Sequence, residues 1–312
     1  MYYSCSMLKI NYCLIMLAIL PLAASAQTDT LIVRPLPCPE GEWVLSFSDE
    51  FDGSSPDAKK WITWYPYTSD GGDSCAFCRT HGDEGQVFLD ENVTVENGIL
   101  YLTAKKEEAE WMGERRPHTS GMIHSRHPFG YGRYEIRCRM PEGMGFWPAL
   151  WTFGQLSAEV DIVEGEMEKP DRLHTSIHNW QIGKMLHKGH RLKQKMSGDF
   201  NIYAMEWDTN QISFWFNDQK MWQVSRFKGG IFKNTKRCPM RPGKYRLEQV
   251  FPHVNEKLYF IAGLGVGNDA TPFTGRPDAE TVFPASMEID WFRFYERTPP
   301  EAPADIQRIR IR

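Results

Sequence analysis

The chain has 312 residues, enough for one large domain or two small ones, and its formal net charge is −4. Aromatic residues make up 13% of it, with 11 Trp and 18 Phe, and such rings build cores or stack on the apolar faces of sugars. The absence of a basic excess excludes the usual footprint of a nucleic-acid binder, and we expect no nucleic-acid partner. A globular enzyme or binding domain for a neutral or weakly charged partner fits the composition.

The first 26 residues have the pattern of a signal peptide. Lys9 gives a weakly positive start, the apolar run 13–24 is short for a membrane span, and Ala24-Ser25-Ala26 is a small-residue cleavage site. An uncleaved anchor is the alternative. We expect a mature chain that is secreted or periplasmic and lacks a transmembrane segment. Residues 27–39 are predicted to be a lead-in to the folded part.

From about residue 43 onward, short alternating or apolar runs are separated by turn residues, which is typical of strands. Asn97-Gly98 between two such runs is a hairpin signal. No long window has helical periodicity, so the sequence predicts an all-β sandwich of two antiparallel sheets in one domain over 40–298, with a polar tail over 299–312. Residues 65–85 and 181–200 are predicted as exposed loops. The predicted strands include 86–95, 98–105, 132–140, 159–164, 201–207, 211–216, 258–264 and 286–297.

Five cysteines remain after the predicted cleavage, namely Cys38, Cys75, Cys78, Cys138 and Cys238. An odd count leaves at least one thiol free or paired with another chain. Cys75-x-x-Cys78 with His81 nearby is half of a zinc or redox motif, but no second pair stands at ligand spacing. A loop disulfide or unpaired thiols is the simpler interpretation, and the pairing stays open.

The segment Glu159-Val160-Asp161-Ile162-Val163-Glu164 carries the chemical signal. In a regular strand Glu159 and Asp161 share a face, whereas Glu164 falls on the other face. One β-bulge near Val163 corrects the phase and brings all three acids to one side. The Cα atoms of Glu159 and Glu164 would then be about 13 Å apart, four effective strand steps, so that both carboxyl groups can lean toward one sugar linkage.

Three acids on one enclosed face raise one another's pKa, and such an arrangement tends to mark function. Retaining glycoside hydrolysis needs a carboxylate that attacks the anomeric carbon and, about 5–5.5 Å away, a carboxylic acid that protonates the leaving oxygen. The alternative is an ordinary strand with solvated acids. Two Trp-bearing segments flank the strand and favour catalysis, because they look like sugar platforms around a reaction centre. They contain Trp147 and Trp151 before the strand, and His178 and Trp180 after it. We expect core packing for at least one of Trp147 and Trp151.

The ordered motifs resemble those of glycoside hydrolase family 16, the laminarinase, lichenase and galactanase group with a concanavalin-like β-jelly roll and a concave substrate cleft. Glu159-x-Asp161-x-x-Glu164 matches the bulged form of the family signature. The resemblance covers roughly residues 43–297, because further segments match in order at 47–53, 97–104, 120–123, 131–137 and 283–293.

By position, the resemblance implies that Glu159 is the nucleophile, Glu164 the general acid/base and Asp161 the assisting carboxylate. It also implies sugar-binding residues and a structural calcium held partly by backbone oxygens, with no cofactor for the chemistry itself. The sugar-binding residues are Glu135, Arg137, Trp147, Trp151, His178 and Trp180, and the calcium residues are Glu50, Gly98 and Asp290. A strand-face ion pair is the alternative for Glu135 and Arg137.

These features predict a secreted, monomeric, retaining endo-glycosidase that cuts internal β-bonds of a polysaccharide, with a β-1,3- or β-1,3-1,4-glucan as the expected substrate. The flanks 155–158 and 165–168 differ from those of typical laminarinases, so an agar, porphyran or carrageenan hydrolase, or a transglycosylase, is the alternative. A non-catalytic carbohydrate-binding protein is the alternative of another class, but such proteins usually lose a catalytic acid. A sulfated substrate would favour a basic cleft. The candidate residues for such a cleft are Arg126, Lys184, Lys188, Arg191 and Lys193. The alternative is that these residues are ordinary solvated charges on loops.

Overall fold

The computed structural model describes residues 31–33, 41–67, 75–82, 84–228, 243–271 and 274–297. The predicted signal peptide, most of the lead-in, the C-terminal tail, Cys38 and Cys238 lie outside these residues. The described chain consists mainly of strands, with one turn of 3₁₀ helix at Asp90–Asn92, which confirms the all-β prediction. Within this part of the chain, no helix has the length and apolar character needed to cross a membrane.

In chain order, the strands are β1 (Leu31–Val33), β2 (Trp43–Asp49), β3 (Trp61–Ile62), β4 (Gln86–Phe88), β5 (Val93–Glu96), β6 (Ile99–Ala104), β7 (Ala109–Trp111), β8 (Glu114–Arg116), β9 (His118–Ser120), β10 (Met122–Ser125), β11 (Gly132–Arg139), β12 (Phe146–Gly154), β13 (Ala158–Gly165), β14 (Arg172–Asn179), β15 (Lys184–Arg191), β16 (Asn201–Trp207), β17 (Gln211–Phe216), β18 (Gln219–Ser225), β19 (Phe227–Lys228), β20 (Gly243–Leu247), β21 (Leu258–Val266) and β22 (Ala285–Arg297).

Two antiparallel sheets form the sandwich. The cleft sheet has seven strands in the order β15-β14-β13-β12-β21-β10-β3. The outer sheet has eight, in the order β18-β17-β16-β11-β22-β6-β5, with β2 paired to β22. Strand β15 lies within the predicted loop 181–200; as an edge strand with mostly exposed residues, it lacks the apolar alternation by which sequence reveals a strand.

The main core lies between the two sheets. Alternate residues of the outer sheet point inward, so that Leu100 and Leu102 on β6, and Tyr134 and Ile136 on β11, are buried. Each large apolar side chain removed from water contributes about 1.5–3 kcal/mol to folding. The predicted hairpin at Asn97-Gly98 joins β5 to β6, and both turn residues have positive φ, 53° and 76°.

Strand β13 contains the predicted bulge. Along its pairing with β12, Asp161 is opposite Trp151 and Val163 is opposite Leu150, so Ile162 is the extra residue. Ile162 and Val163 are both buried in the core, and this packing stabilises the irregular backbone of the bulge. Glu164, the acid beyond the bulge, is thereby returned to the face opposite the core, which Glu159 and Asp161 share.

A second, smaller apolar cluster covers part of the concave face of the cleft sheet. It consists of Tyr65, Phe88, Met122, Trp151 and Ile261. The residues that follow β3 form this covering segment. Within it, the Tyr65 N–H donates to the Cys78 carbonyl (2.9 Å) and a disulfide joins Cys75 to Cys78; the Gly85 N–H donates to the Val266 carbonyl of β21 (2.6 Å). The substrate cleft is therefore bounded on the β21 and β10 side by residues that follow β3.

Candidate active site

Glu159, Asp161 and Glu164 project from β13 onto the concave face of the cleft sheet. Glu159 is opposite Phe153 and Glu164 is opposite Ala149, four residues apart on β12, so the bulge gives four effective steps, as predicted. All three acids line one open cleft. Glu159 and Glu164 thus reach one cleft from positions four strand steps apart.

Strand β14 supplies polar partners for the three acids. Its residues His178, Ser176 and His174 stand directly opposite Glu159, Asp161 and Glu164. His178 Nε2 lies 3.0 Å from Asp161 Oδ2 and 3.8 Å from Glu159 Oε1. The Ser176 hydroxyl donates to Glu164 Oε2 at 3.3 Å.

Trp180, just after β14, reaches back into the site. Its Nε1–H donates to Glu159 Oε2 at 3.0 Å, and its ring stacks on His178 with centroids 5.1 Å apart. The side chain is 57% exposed, so its outer face is available to a ligand. The bond to Trp180 and the nearby imidazole hold the Glu159 carboxylate in a fixed orientation.

The surroundings distribute protons unequally among the acids. Burial and the charge of Asp161 raise the pKa of Glu159 to about 8, although His178, the Trp180 N–H and His81 oppose that rise. Burial and the charges of both neighbouring acids raise the pKa of Glu164 well above its ordinary value. Burial also raises the pKa of Asp161. His178 and the Ser176 hydroxyl oppose the rise at Glu164 as well, but Glu164 has two acids beside it where Glu159 has one. Of the two glutamates, Glu164 therefore keeps its proton to the higher pH.

The aromatic residues expected to form sugar platforms differ in exposure. Trp151 is 8% exposed and packs on Tyr65 and Phe153, so it belongs largely to the small apolar cluster while its edge lines the cleft. Trp147 is half-buried and lines the same cleft. The expectation that at least one of the pair packs in a core is confirmed by Trp151.

Several cleft residues were not identified from the sequence. The segment after β3 contributes Tyr65, His81, Glu84 and Phe88, and β21 contributes Gly263 and Gly265. A Cβ on Gly265 would lie 3.1 Å from the backbone oxygen of Trp147, so a glycine at this position relieves a tight contact on the cleft floor. The Cys75-x-x-Cys78 spacing was the one sequence signal for an ordered structure here.

The structure corrects the placement of Glu135 and Arg137. Both lie on β11 in the outer sheet, where they alternate with buried core residues and therefore point away from the cleft. Glu135 accepts from Arg133 at 2.6 Å, and Arg137 pairs with Asp290. Strand alternation shows which residues share a face but not which of two sheets the strand joins. Glu135 and Arg137 therefore form ion pairs on the face of the outer sheet, which was the alternative to sugar binding.

The predicted calcium residues have other partners. Both carboxylate oxygens of Glu50 accept from Arg293, at 2.9 and 2.8 Å, and the Asp290 carboxylate is paired with Arg137. Gly98 lies in the β5–β6 turn. A calcium site needs several oxygens of net negative charge, and guanidinium groups already neutralise both carboxylates. The side chains of Glu50 and Asp290 therefore do not fit the predicted site.

The candidate basic residues do not line the cleft. Lys184 and Lys188 alternate with Met185 and His187, which share the concave face with β14 residues, so the two lysines point the other way. Arg191 pairs with Asp171 at 3.1 Å. Arg126 donates to the Ala58 carbonyl at 2.5 Å, and Lys193 is exposed beyond β15.

Known proteins are similar to this chain in sequence. The β-glucanase of Rhodothermus marinus is 33% identical over 278 residues, which cover 81% of this chain and 85% of that enzyme. Two other curated relatives are longer, and the chain spans 36% and 40% of them.

Solved structures agree with the sequence relatives. The laminarinase catalytic domain of Thermotoga maritima MSB8 superposes with a TM-score of 0.67 at 26% identity, covering 83% of this chain and all of that domain. A structure from work on endo-acting O-glycanases of the human gut microbiota gives a TM-score of 0.62 at 25% identity, with 85% and 95% coverage.

The family model described as glycosyl hydrolases family 16 matches residues 83–245, a span that includes all three cleft acids. This match agrees with the sandwich topology and with the bulged acid strand. The chain therefore belongs to glycosyl hydrolase family 16 and is a glycoside hydrolase.

Proposed function

We propose that the protein is a retaining endo-glycosidase that hydrolyses internal bonds of a β-1,3- or β-1,3-1,4-glucan. The observation that carries the proposal is the bulge at Ile162, which brings Glu159 and Glu164 to one cleft with Asp161 between them. The β-glucanase and laminarinase relatives support a β-glucan as the substrate. We also propose that residues 1–26 direct secretion and that the enzyme acts as a monomer.

The reaction proceeds in two displacements. Glu159 attacks the anomeric carbon while Glu164 transfers its proton to the leaving oxygen, so that the glycosidic C–O bond breaks and a glycosyl ester forms. Glu164, now a carboxylate, removes a proton from water, and the water oxygen displaces Glu159 from the sugar. Both carboxyl groups return to their starting states. The configuration at the anomeric carbon is retained.

Asp161 and His178 support both steps. The carboxylate of Asp161 is held 3.0 Å from His178 and lies between the two glutamates. Its charge raises the pKa of Glu164 and so favours the protonated form that the first step needs. His178 and the Trp180 N–H orient the carboxyl group of Glu159 throughout, including after Glu164 has given up its proton.

A polysaccharide panel tests the proposal. Mature protein should release a ladder of oligosaccharides from laminarin or mixed-linkage glucan early in the reaction, as measured by mass spectrometry, because internal cleavage produces many chain lengths at once. Binding to these glucans without any product would instead indicate a carbohydrate-binding protein. Products longer than an added oligosaccharide acceptor would indicate transglycosylation.

A second candidate is an endo-acting hydrolase of galactans or related glycans. The observation that favours it is the small apolar cluster, which occupies the concave face above β21 and β10 and leaves less of the sheet for a long glucan chain. The TM-score of the O-glycanase-related structure, 0.62, lies within the range of the laminarinase structures, 0.61 to 0.67. Release of products from agar, porphyran, carrageenan or mucin O-glycans, with laminarin untouched, would select this candidate.

A further inference from the structure

His81 stands in the wall of the cleft, on the segment that follows the Cys75–Cys78 disulfide. Its ring centroid is 5.6 Å from that of Trp151 and 5.5 Å from that of Tyr65. The side chain is 45% exposed, so a ligand in the cleft can reach it. None of the three catalytic acids hydrogen-bonds to it, and the double displacement described above does not use it.

Glu84 fixes the orientation of this imidazole. His81 Nδ1 lies 3.4 Å from Glu84 Oε1, and the other oxygen of Glu84 accepts from the buried Gln86 amide. Gln86 is in turn anchored by the backbone N–H of Val266, 2.7 Å from its Oε1. This chain of bonds reaches from the cleft sheet to the imidazole. Because Nδ1 is engaged, Nε2 is the nitrogen that can serve a ligand in the cleft.

The charges around His81 favour its cationic form. Desolvation at the cleft wall lowers the pKa of His81, but the hydrogen bond and charge of Glu84, with the charges of Glu159 and Asp161, raise it overall. Tyr65, the other titratable group against the ring, stays neutral because burial and Glu84 raise its own pKa. An imidazolium facing three carboxylates both donates hydrogen bonds and balances local negative charge.

We propose that His81 is a further substrate-binding residue of the cleft, donating from Nε2 to a hydroxyl oxygen of the sugar bound beside Glu159. The acceptor is a neutral oxygen, since an anionic sugar substituent at this point would meet Glu84, Glu159 and Asp161. The imidazolium also opposes protonation of Glu159, as the direction of its effect on that pKa shows. The inference rests on the proposed function, because it needs a neutral glycan in this cleft.

Kinetics of His81→Ala and His81→Gln test the assignment. We expect His81→Ala to lower kcat/KM on the polysaccharide that the wild type cleaves by about 10- to 100-fold, the loss of one hydrogen bond to a charged group. His81→Gln keeps a donor without the charge and should recover part of this loss. In both variants the acid limb of the kcat/KM profile should move to higher pH, because Glu159 becomes easier to protonate. A purely structural residue would leave that limb in place.

The matched control is His127→Gln, since His127 is exposed and is not among the residues that line the cleft. Calorimetric binding of a β-glucan oligosaccharide, measured in a Glu164→Gln background, gives a readout independent of turnover. We expect His81→Ala to weaken this binding by about tenfold, while circular dichroism shows that the fold is kept. The role of His81 would be overturned if binding and kcat/KM of the variant stayed within about twofold of the parent and the acid limb stayed within about 0.1 pH unit. Failure of the wild type to cleave any glycan would instead count against the proposed function.

Discussion

Glu159→Gln is expected to lower kcat on the cleaved polysaccharide by about 10⁴-fold, the scale seen when a residue essential to a covalent mechanism is removed. An amide cannot attack the anomeric carbon, yet it has the size of the carboxyl group and still accepts from the Trp180 N–H, now 3.0 Å from Glu159. Removing one of three adjacent acids also relieves like-charge repulsion. Initial rates, together with circular dichroism and thermal unfolding, separate lost chemistry from lost structure.

Glu135→Gln is the matched control for this loss. Glu135 lies on the solvent-facing side of the outer sheet, beside Arg133, so the same substitution there should leave kcat within about twofold of the wild type. Substantial activity in Glu159→Gln would remove it from the nucleophile position. A loss of activity in Glu135→Gln comparable to that in Glu159→Gln would contradict the placement of Glu135 outside the cleft.

Glu164→Gln should affect substrates according to how much their leaving group needs a proton. On polysaccharide, whose leaving group is a sugar alcohol, the rate should fall by about 10²–10⁴-fold, the usual contribution of general acid catalysis. On an aryl glycoside with an acidic phenol, the first step needs no proton, and the loss should be much smaller. The measurement is the ratio of the two kcat/KM values in wild type and variant. Equal losses on both substrates would argue against an acid role.

The pH dependence of the same variant adds a second reading. In the wild type, activity falls on the acid side as Glu159 becomes protonated and on the alkaline side as Glu164 loses its proton. Burial and the neighbouring acids raise the pKa of Glu164, so the alkaline limb should lie well above the ordinary glutamate range. Glu164→Gln removes that group, and its residual activity should lack this limb.

The parts of the site that could be predicted from the sequence are those that depend on local periodicity. The spacing of Glu159, Asp161 and Glu164 required a bulge for the acids to share a face, and the pairing of β13 with β12 and β14 contains one. Trp180 and His178 follow closely along the chain, and β14 returns directly beside β13. Local geometry thus determined this half of the cleft.

The remaining features depend on long-range packing. His81 and Glu84 lie in a segment without periodicity, and they reach the acids because that segment folds across β21. Arg137 has the alternation expected of a cleft strand, but β11 pairs with β16 and β22 in the other sheet. The partners of Glu50 and Asp290 are arginines distant in sequence. No local pattern encodes these pairings.

Trapping the glycosyl ester tests the central claim most directly. A 2-fluoro glycoside with a good leaving group, built on the oligosaccharide that the enzyme cleaves, should form the ester quickly and lose it slowly. After proteolysis, mass spectrometry should locate the added sugar on Glu159. The sugar on Glu164, or no adduct together with products of inverted anomeric configuration, would contradict a mechanism in which two glutamates on one bulged strand divide attack and protonation between them.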